Sequence, residues 1–210
     1  MKKILPVLMI IARLASCAAP ESPVPVEDAP AEAPAETPAE APEEPEEPPE
    51  PPRPEYEPGV IDGDTYISDY FSVRFKLPEG WQWFTDSANE NGLSADFEMY
   101  AFGDEGLQSM SFTAGEGGAG DACATYLADL PAALEESGYS DYGYAETTVT
   151  IAGRECPAVS LAGTVEVVEG VSAPVYILAV FVEHEGRYGE FTATSFVADA
   201  TGEIFEGVTE

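Results

Sequence analysis

The clearest pattern in the chain is a strict alternation of apolar and polar side chains from Phe71 to Leu77. A period of two predicts a β-strand with one buried face. Less regular apolar runs, separated by turn residues, predict further strands at Trp81–Phe84, Ala95–Phe102, Leu107–Thr113, Thr147–Ile151, Cys156–Val168, Pro174–His184 and Arg187–Val197. The short turns Ala152-Gly153 and Glu185-Gly186 join neighbouring strands, which implies antiparallel pairing.

A helical period follows the glycine-rich stretch that ends at Gly120. Its apolar stripe consists of Tyr126, Leu127, Leu130 and Leu134. We predict a helix that Asp121 caps and that runs to about Ser137, where Gly138 can end it. Pro131 should kink or split this helix. A short terminal helix is predicted at 199–207, so the chain is expected to be α+β, an antiparallel sheet packed by helices.

The segment Tyr66–Trp83 contains the run Tyr-Phe-Ser-Val-Arg-Phe-Lys-Leu-Pro-Glu-Gly-Trp. This run resembles the opening of PsbP-like domains. The later helix, the turn at 150–154 and the final hairpin follow in the order that such domains show, so the resemblance covers roughly residues 62–208. It implies an α/β/α sandwich and a family whose known members act mainly by binding partners. It assigns no functional residue to this chain.

The charge balance is strongly acidic, with 40 acidic residues against 8 basic ones. Residues 18–58 hold 13 of the acids, which leaves 27 acids and four bases for residues 59–210. The four bases are Arg74, Lys76, Arg154 and Arg187. Such a surface repels phosphate, so nucleic-acid binding is not expected. Solubility is the simplest role of this charge, and attraction of a basic partner is the more specific one.

The first 16 residues read as an export leader. Lys2-Lys3 is followed by the apolar run Ile4–Ala12, which is too short to span a bilayer. The stretch Leu14-Ala15-Ser16-Cys17 resembles the bacterial lipoprotein signal, although Arg13 departs from the usual pattern. The resemblance implies that Cys17 carries lipid and holds the protein on the outer face of the cell membrane or at the cell surface. A plain secretory leader with an incidental cysteine is the alternative.

Residues 17–58 are expected to form a disordered tether, because 14 prolines and few large apolar residues oppose any regular fold. At about 3.1 Å per residue, such a segment reaches on the order of 100 Å. Residues 59–210 are long enough for one domain with its own core. We therefore divide the chain into a leader at 1–16, a tether at 17–58 and a globular domain at 59–210.

Several motifs point to chemistry only weakly. Gly115–Gly120 matches G-x-G-x-x-G, but it carries Glu116 and no nearby base, so no nucleotide cofactor is expected. Asp62-Gly63-Asp64 lacks the remaining ligands of a calcium loop. His184 is the sole histidine and lies at a hairpin end. No catalytic, cofactor or metal residue is therefore assigned.

Two cysteines remain in the domain if Cys17 is lipidated. Cys123 and Cys156 could form a disulfide in an exported protein, or could be two small buried side chains. The spacing does not decide between these alternatives. The tyrosines Tyr139, Tyr142 and Tyr144 lie in a polar, glycine-containing stretch, and we predict that they form an exposed contact surface.

These observations favour a non-enzymatic surface lipoprotein whose domain binds a protein or an envelope component. One alternative is an accessory enzyme or factor that acts on cell-wall polymer, which would need two carboxylates converging in a cleft. Another is an acidic surface that binds cations.

Overall fold

The structure of the protein is a computed structural model that describes residues 55–84, 97–103, 106–168 and 170–210. Within these ranges the chain forms two antiparallel sheets and two helices. The strands are β1 (Val60–Asp62), β2 (Thr65–Ser68), β3 (Val73–Lys76), β4 (Gln82–Trp83), β5 (Met99–Gly103), β6 (Gln108–Glu116), β7 (Tyr139–Ile151), β8 (Arg154–Val168), β9 (Val171–His184), β10 (Arg187–Ser195) and β11 (Val208–Thr209). The helices are α1 (Ala119–Glu136) and α2 (Thr201–Phe205).

The larger sheet has seven strands in the order β4-β5-β6-β10-β9-β8-β7, and the smaller has four in the order β1-β2-β3-β11. Helix α1 packs on one face of the large sheet, and α2 packs on the other face together with the small sheet. The predicted α+β class, an antiparallel sheet with helices on its faces, is confirmed.

The large sheet has a hydrophobic core on each of its two faces, and the register of the long strands shows which residues belong to each core. On the face of the small sheet, Phe112, Phe191, Val180 and Ala158 lie side by side across four strands, all fully buried. The rings of Phe112 and Phe191 are 4.4 Å apart between centroids. On the other face, Leu130 and Leu134 of α1 join a second core with Val159 and Phe181. Each strand therefore contributes alternate residues to opposite cores.

Both predicted hairpin turns are confirmed. Ala152 and Gly153 have φ values of 50° and 70°, and Glu185 and Gly186 have φ values of 46° and 77°. Two central residues with positive φ define the type I′ turn, whose twist matches that of the strands it joins. The turns set the register of Ile151 with Arg154 and of His184 with Arg187.

Helix α1 differs from the prediction at its start and in its middle. It begins at Ala119 after the N-cap Gly118, so Asp121 lies in the first turn and is not the cap. Pro131 does not split the helix, which continues to Glu136. Pro131 is exposed and has no N–H to donate within the helix. Gly138 follows the helix with φ 73°, as predicted.

Two parts of the sheet structure were not predicted. Strand β7 begins at Tyr139, eight residues before the predicted start at Thr147, because most of it is exposed and shows no apolar alternation. The strands β1, β2 and β11 have only two to four residues each, too few to give a period. Neither helix in the described ranges has the length and apolar character needed to cross a bilayer.

Candidate functional site

Two of the three predicted contact residues lie together on the surface of β7, the outer strand of the large sheet. The rings of Tyr142 and Tyr144 are stacked, with centroids 6.4 Å apart and planes inclined by 23°. Their exposed fractions are 37% and 40%. Strand β7 thus presents a pair of parallel aromatic rings to solvent.

A β-bulge precedes Tyr144 and sets which face of the sheet Tyr139 and Tyr144 share. The register of β7 with β8 shifts between Ser140 and Gly143, and Asp141 within the shift has φ 48°. Tyr139 and Tyr144 are five residues apart and would lie on opposite faces of a regular strand. The extra residue lets both point toward the α1 face, where their partners are Val165 and Leu161.

The third predicted contact residue, Tyr139, does not belong to the surface. It is 6% exposed and packs in the core beneath α1, because it directly follows the helix. Its hydroxyl has no hydrogen-bond partner among the described residues, and burial raises its pKa. The predicted surface is therefore reduced to Tyr142 and Tyr144.

Glycine at position 163 makes room for the tyrosine pair. Gly163 lies on β8 beneath Tyr142, and a Cβ atom at this position would be 2.8 Å from the Cβ of Tyr142. Real Cβ atoms do not approach so closely without displacing their neighbours. The stacked pair thus depends on a missing side chain in the neighbouring strand.

The opposite face of the same part of β7 forms a shallow groove of about 370 Å³. Small side chains make its floor, namely Gly143, Ala145, Ser160 and Ala162, which share one face by register. Tyr176 of β9 stands beside them, and Asp199 and Thr201 close the groove from the segment around α2. The Thr201 hydroxyl donates a hydrogen bond of 3.0 Å to Asp199 Oδ1.

Glu98 binds residues near the start of the described chain, a contact that the sequence did not predict. The Tyr56 hydroxyl donates to Oε1 of Glu98, while the Gly59 N–H and the Tyr66 hydroxyl donate to Oε2 at 3.0 and 2.9 Å. Burial and the nearby Glu98 raise the pKa of both tyrosines. The Arg187 guanidinium lies 4.4 Å above the Tyr56 ring, a cation–π contact.

The contact of Arg187 with Tyr56 and the tyrosine pair lie at opposite ends of the large sheet. Arg187 opens β10 at the end where β7 finishes with Ile151, whereas Tyr142 and Tyr144 lie near the start of β7. Seven residues separate Tyr144 from Ile151, which corresponds to about 23 Å along the strand. The chain thus enters the domain far from the tyrosine pair.

The glycine-rich loop 115–120 leads into a helix N-terminus that another part of the chain already occupies. The Ala119 N–H donates to Oε2 of Glu183 on β9, at 2.8 Å. At the start of the loop, a Cβ on Gly115 would be 2.4 Å from Cζ of Tyr188, so glycine is needed for that packing. A carboxylate therefore stands where a dinucleotide would place its phosphates.

The two cysteines of the domain are free thiols in the structure. Cys123 lies on α1 and belongs to the core beneath the helix, whereas Cys156 belongs to the core on the opposite face of the sheet. The sheet lies between them, so the disulfide alternative does not fit this fold. Burial raises the pKa of each thiol, which favours the unreactive protonated form.

One carboxyl group is buried within the described ranges, that of Glu190 on β10. Its neighbours across the sheet are Phe181 and Thr113, and the Thr192 hydroxyl donates to Oε1 at 2.9 Å. Burial raises the pKa of Glu190 to about 7, and the Thr192 hydrogen bond opposes part of this rise. Glu190 also contributes to the raised pKa of Tyr126 across the α1 interface.

The Asp62-Gly63-Asp64 motif and His184 both lie at turns between strands. Asp62 is the last residue of β1, and Gly63 and Asp64 form the turn to β2. The Asp64 carboxylate lies 3.9 Å from the Lys76 ammonium. No group of three metal-ligating side chains converges in the ranges that the structure describes. His184 is half-buried, with its ring 5.0 Å from that of Tyr70. Cys17, the leader 1–16 and most of the tether lie outside the described residues.

No protein-family model and no curated protein matches the sequence. Similar solved structures exist at low identity. A PsbP from the cyanobacterium Synechocystis (CyanoP) is 12% identical, with a TM-score of 0.45 over 69% of this chain and 89% of that one. LpqN, described as involved in cell envelope biogenesis of Mycobacterium tuberculosis, is 16% identical, with a TM-score of 0.39 over 66% and 82%.

A third similar structure comes from Bacteroides thetaiotaomicron, with 14% identity and a TM-score of 0.43 over 70% of this chain. The match spans 48% of that protein, about half its length. The similar structures thus include a PsbP, the family that the Leu77-Pro78-Glu79-Gly80-Trp81 turn resembles. Identities between 12% and 16% carry nothing about activity or partners to this chain.

Proposed function

We propose that this chain is a lipoprotein held on the outer face of a membrane by Cys17, and that its domain binds a partner protein or an envelope component without catalysis. The observation that carries the proposal is the stacked, exposed pair of Tyr142 and Tyr144. The lipid anchor is inferred from the sequence around Cys17, which lies outside the described residues.

The tyrosine pair has the character of a contact surface. Tyrosine combines a large apolar ring with a hydroxyl, and aromatic residues are enriched in protein interfaces. Among the residues that the structure describes, the other exposed large apolar side chains are Val60, Ile61, Val168, Val171 and Val197, none of them aromatic. Tyr142 and Tyr144 are therefore the best candidate for the centre of an interface.

The position of the pair suits an anchored protein. Tyr56 and Gly59 are bound by Glu98, which directly precedes β5, and four strands of the large sheet lie between β5 and the β7 strand of Tyr142 and Tyr144. A partner that approaches the tyrosine pair would thus meet the domain away from the point where the tether joins it. The long tether would further separate this surface from the bilayer.

The two alternative functions would each require a particular arrangement of acidic side chains. An enzyme that acts on wall polymer would need facing carboxylates, and Glu190 is the single buried one there. The acidic side chains of these ranges are spread over the surface without a converging set of three ligands. Neither observation points to a substrate or a specific cation.

The test uses the full chain in its own cells, with a photo-crosslinking side chain at position 146, next to Tyr144 on β7. We expect a discrete crosslinked product that is absent with the crosslinker at Glu135 on the exposed side of α1. The partner is then identified and purified, and its affinity is measured by titration. The double variant Tyr142→Ser and Tyr144→Ser should weaken binding at least about tenfold, as expected for aromatic hot spots.

A matched control is Val171→Ser, which removes an exposed apolar side chain elsewhere on the sheet and should leave the affinity unchanged. Equal affinity of the double tyrosine variant and the original chain would refute the proposed surface. Cys17→Ser tests the anchor separately: we expect loss of lipid labelling and release from the membrane fraction. A membrane-bound, lipid-labelled Cys17→Ser variant would refute the anchor.

A further inference from the structure

We infer that the partner contributes a basic, extended polypeptide segment that adds to the outer edge of β7 as an eighth strand of the large sheet. This inference rests on the proposed binding function and names the chemical class of the partner. It is carried by the geometry of β7 beyond the tyrosine pair.

The outer edge of β7 offers a row of backbone groups that no strand of the described ranges pairs with. The two-residue turn makes Ile151 and Arg154 a hydrogen-bonded pair, and pair types alternate from there along an antiparallel ladder. The alternation makes Thr148 and Pro157 a non-hydrogen-bonded pair, and this agrees with Pro157, which has no N–H to donate to β7. The residues whose N–H and C=O point away from β8 are therefore Tyr144, Glu146, Thr148 and Thr150.

This edge lacks the usual protection against strand addition. Natural edge strands are blocked by charged side chains, lysine above all, and by proline, bulges or covering elements. The one charged side chain on β7 after the bulge is Glu146, which does not repel a basic segment. From Gly143 to Ile151 there is neither lysine nor proline, and the bulge lies only at the beginning, between Ser140 and Gly143. In the described ranges no segment pairs with the outer side of β7. The stretch from Thr147 to Ile151 is also rich in β-branched residues, which favour a strand.

Charge selects the class of segment that can bind there. The domain has 27 acidic residues and four basic ones, and none of these four lies on β7. A second copy of the chain would bring a further acidic domain against the first. The tether of the chain itself combines glutamate with proline, which cannot form a full ladder. A basic segment from another protein meets neither obstacle.

Both faces of the added strand would find suitable neighbours. On the α1 face its side chains would lie beside Tyr144 and Glu146, where arginine or lysine can contact a ring and a carboxylate. On the other face they would lie beside Gly143 and Ala145, at the rim of the groove that contains Asp199. The small floor residues leave space for a longer side chain on that side.

The test uses the isotope-labelled full chain and three synthetic nine-residue peptides. The first alternates lysine and valine, the second is the same peptide with alternate backbone amides N-methylated, and the third replaces lysine by glutamate. The readout is amide hydrogen exchange at Tyr144, Glu146, Thr148 and Thr150. We expect the lysine peptide to slow exchange at these four positions by about tenfold or more, and the other two peptides to have no effect.

Variants of Thr148 provide the matched control. Thr148→Pro removes an outward N–H and should abolish protection by the lysine peptide, whereas Thr148→Ala should retain it. If Thr148→Pro does not fold, the N-methylated peptide still decides the question. No protection by the lysine peptide, or equal protection by the N-methylated one, would overturn strand addition. Protection that appears without peptide as the protein concentration rises would overturn it in favour of pairing between two copies.

This inference and the proposed function fail separately. If the crosslinked partner binds Thr148→Pro normally but not the double tyrosine variant, the tyrosine surface stands and strand addition does not. If the double tyrosine variant binds the partner with full affinity, the proposed surface itself is wrong.

Discussion

Replacement of the buried Glu190 by glutamine should make the protein more stable at neutral pH. Glu190 is 6% exposed and lies between the sheet and α1, with the Thr192 hydroxyl as its hydrogen-bond donor. Glutamine has nearly the same shape and can accept the same hydrogen bond, but it carries no charge. The substitution therefore removes the cost of a buried charge and little else.

The expected size follows from the pKa, which rises from 4.5 to about 7 on folding. Between these values the folded protein holds a proton that the unfolded chain has lost. The free energy of unfolding therefore falls as the pH rises through this window. The contribution is fully present below pH 4.5 and lost above pH 7. A shift of this size corresponds to about 3 kcal/mol.

Chemical denaturation of the original chain and of Glu190→Gln, followed from pH 4 to pH 8, measures this effect. The two should agree near pH 4, and the variant should be more stable by about 3 kcal/mol at pH 8. Glu135→Gln on the exposed side of α1 removes the same charge and should stay within about 0.5 kcal/mol at every pH. A pH-independent difference between Glu190→Gln and the original chain would refute the reasoning.

Three further predictions follow from single contacts. Glu98→Ala removes the acceptor of two tyrosine hydroxyls and a backbone N–H. We therefore expect chemical denaturation to show a free energy of unfolding lower by about 2 kcal/mol, and protease to cleave faster near residue 59. An unchanged free energy of unfolding would contradict the contact. Gly163→Ala should destabilise by about 1–3 kcal/mol because its Cβ would collide with Tyr142. Its control, Gly120→Ala in open space on α1, should be neutral or stabilising by up to about 1 kcal/mol. Since Cys123 and Cys156 are free, a reducing agent should leave the melting temperature unchanged, and a drop of several degrees would reveal a disulfide.

The local pattern of apolar, polar and turn residues was sufficient to predict the strands that have one buried face and the turns that have two residues. The alternation from Phe71 to Leu77 predicted β3, and the apolar runs before and after Glu185-Gly186 predicted β9 and β10. The hydrophobic period did not predict the first part of β7, because a strand that is exposed on both faces at the edge of a sheet has no alternation of apolar and polar side chains. The hydrophobic period also failed to predict β1, β2 and β11 of the small sheet, because these strands are shorter than one recognisable repeat.

The candidate site was predictable only in part, for the same reason. Tyr142 and Tyr144 could be proposed because a polar, glycine-containing stretch rarely hides tyrosines. Tyr139 is buried because it packs beneath α1, and the local sequence pattern does not show this contact. Glu98 is 39 residues from Gly59, and Glu183 is 64 residues from the helix start that it caps. Contacts at such separations are set by the register of the sheet.

The sequence alone determined the acidic balance, the lipoprotein-like motif at Cys17, the order of the long strands and the main helix. These properties depend on composition and on neighbours within a few residues. Only the tertiary structure decided that Cys123 and Cys156 face opposite cores, that Glu190 is buried, and that no described segment pairs with the outer edge of β7. Those three outcomes depend on which face of a strand each residue occupies, and pairing between distant strands sets that face.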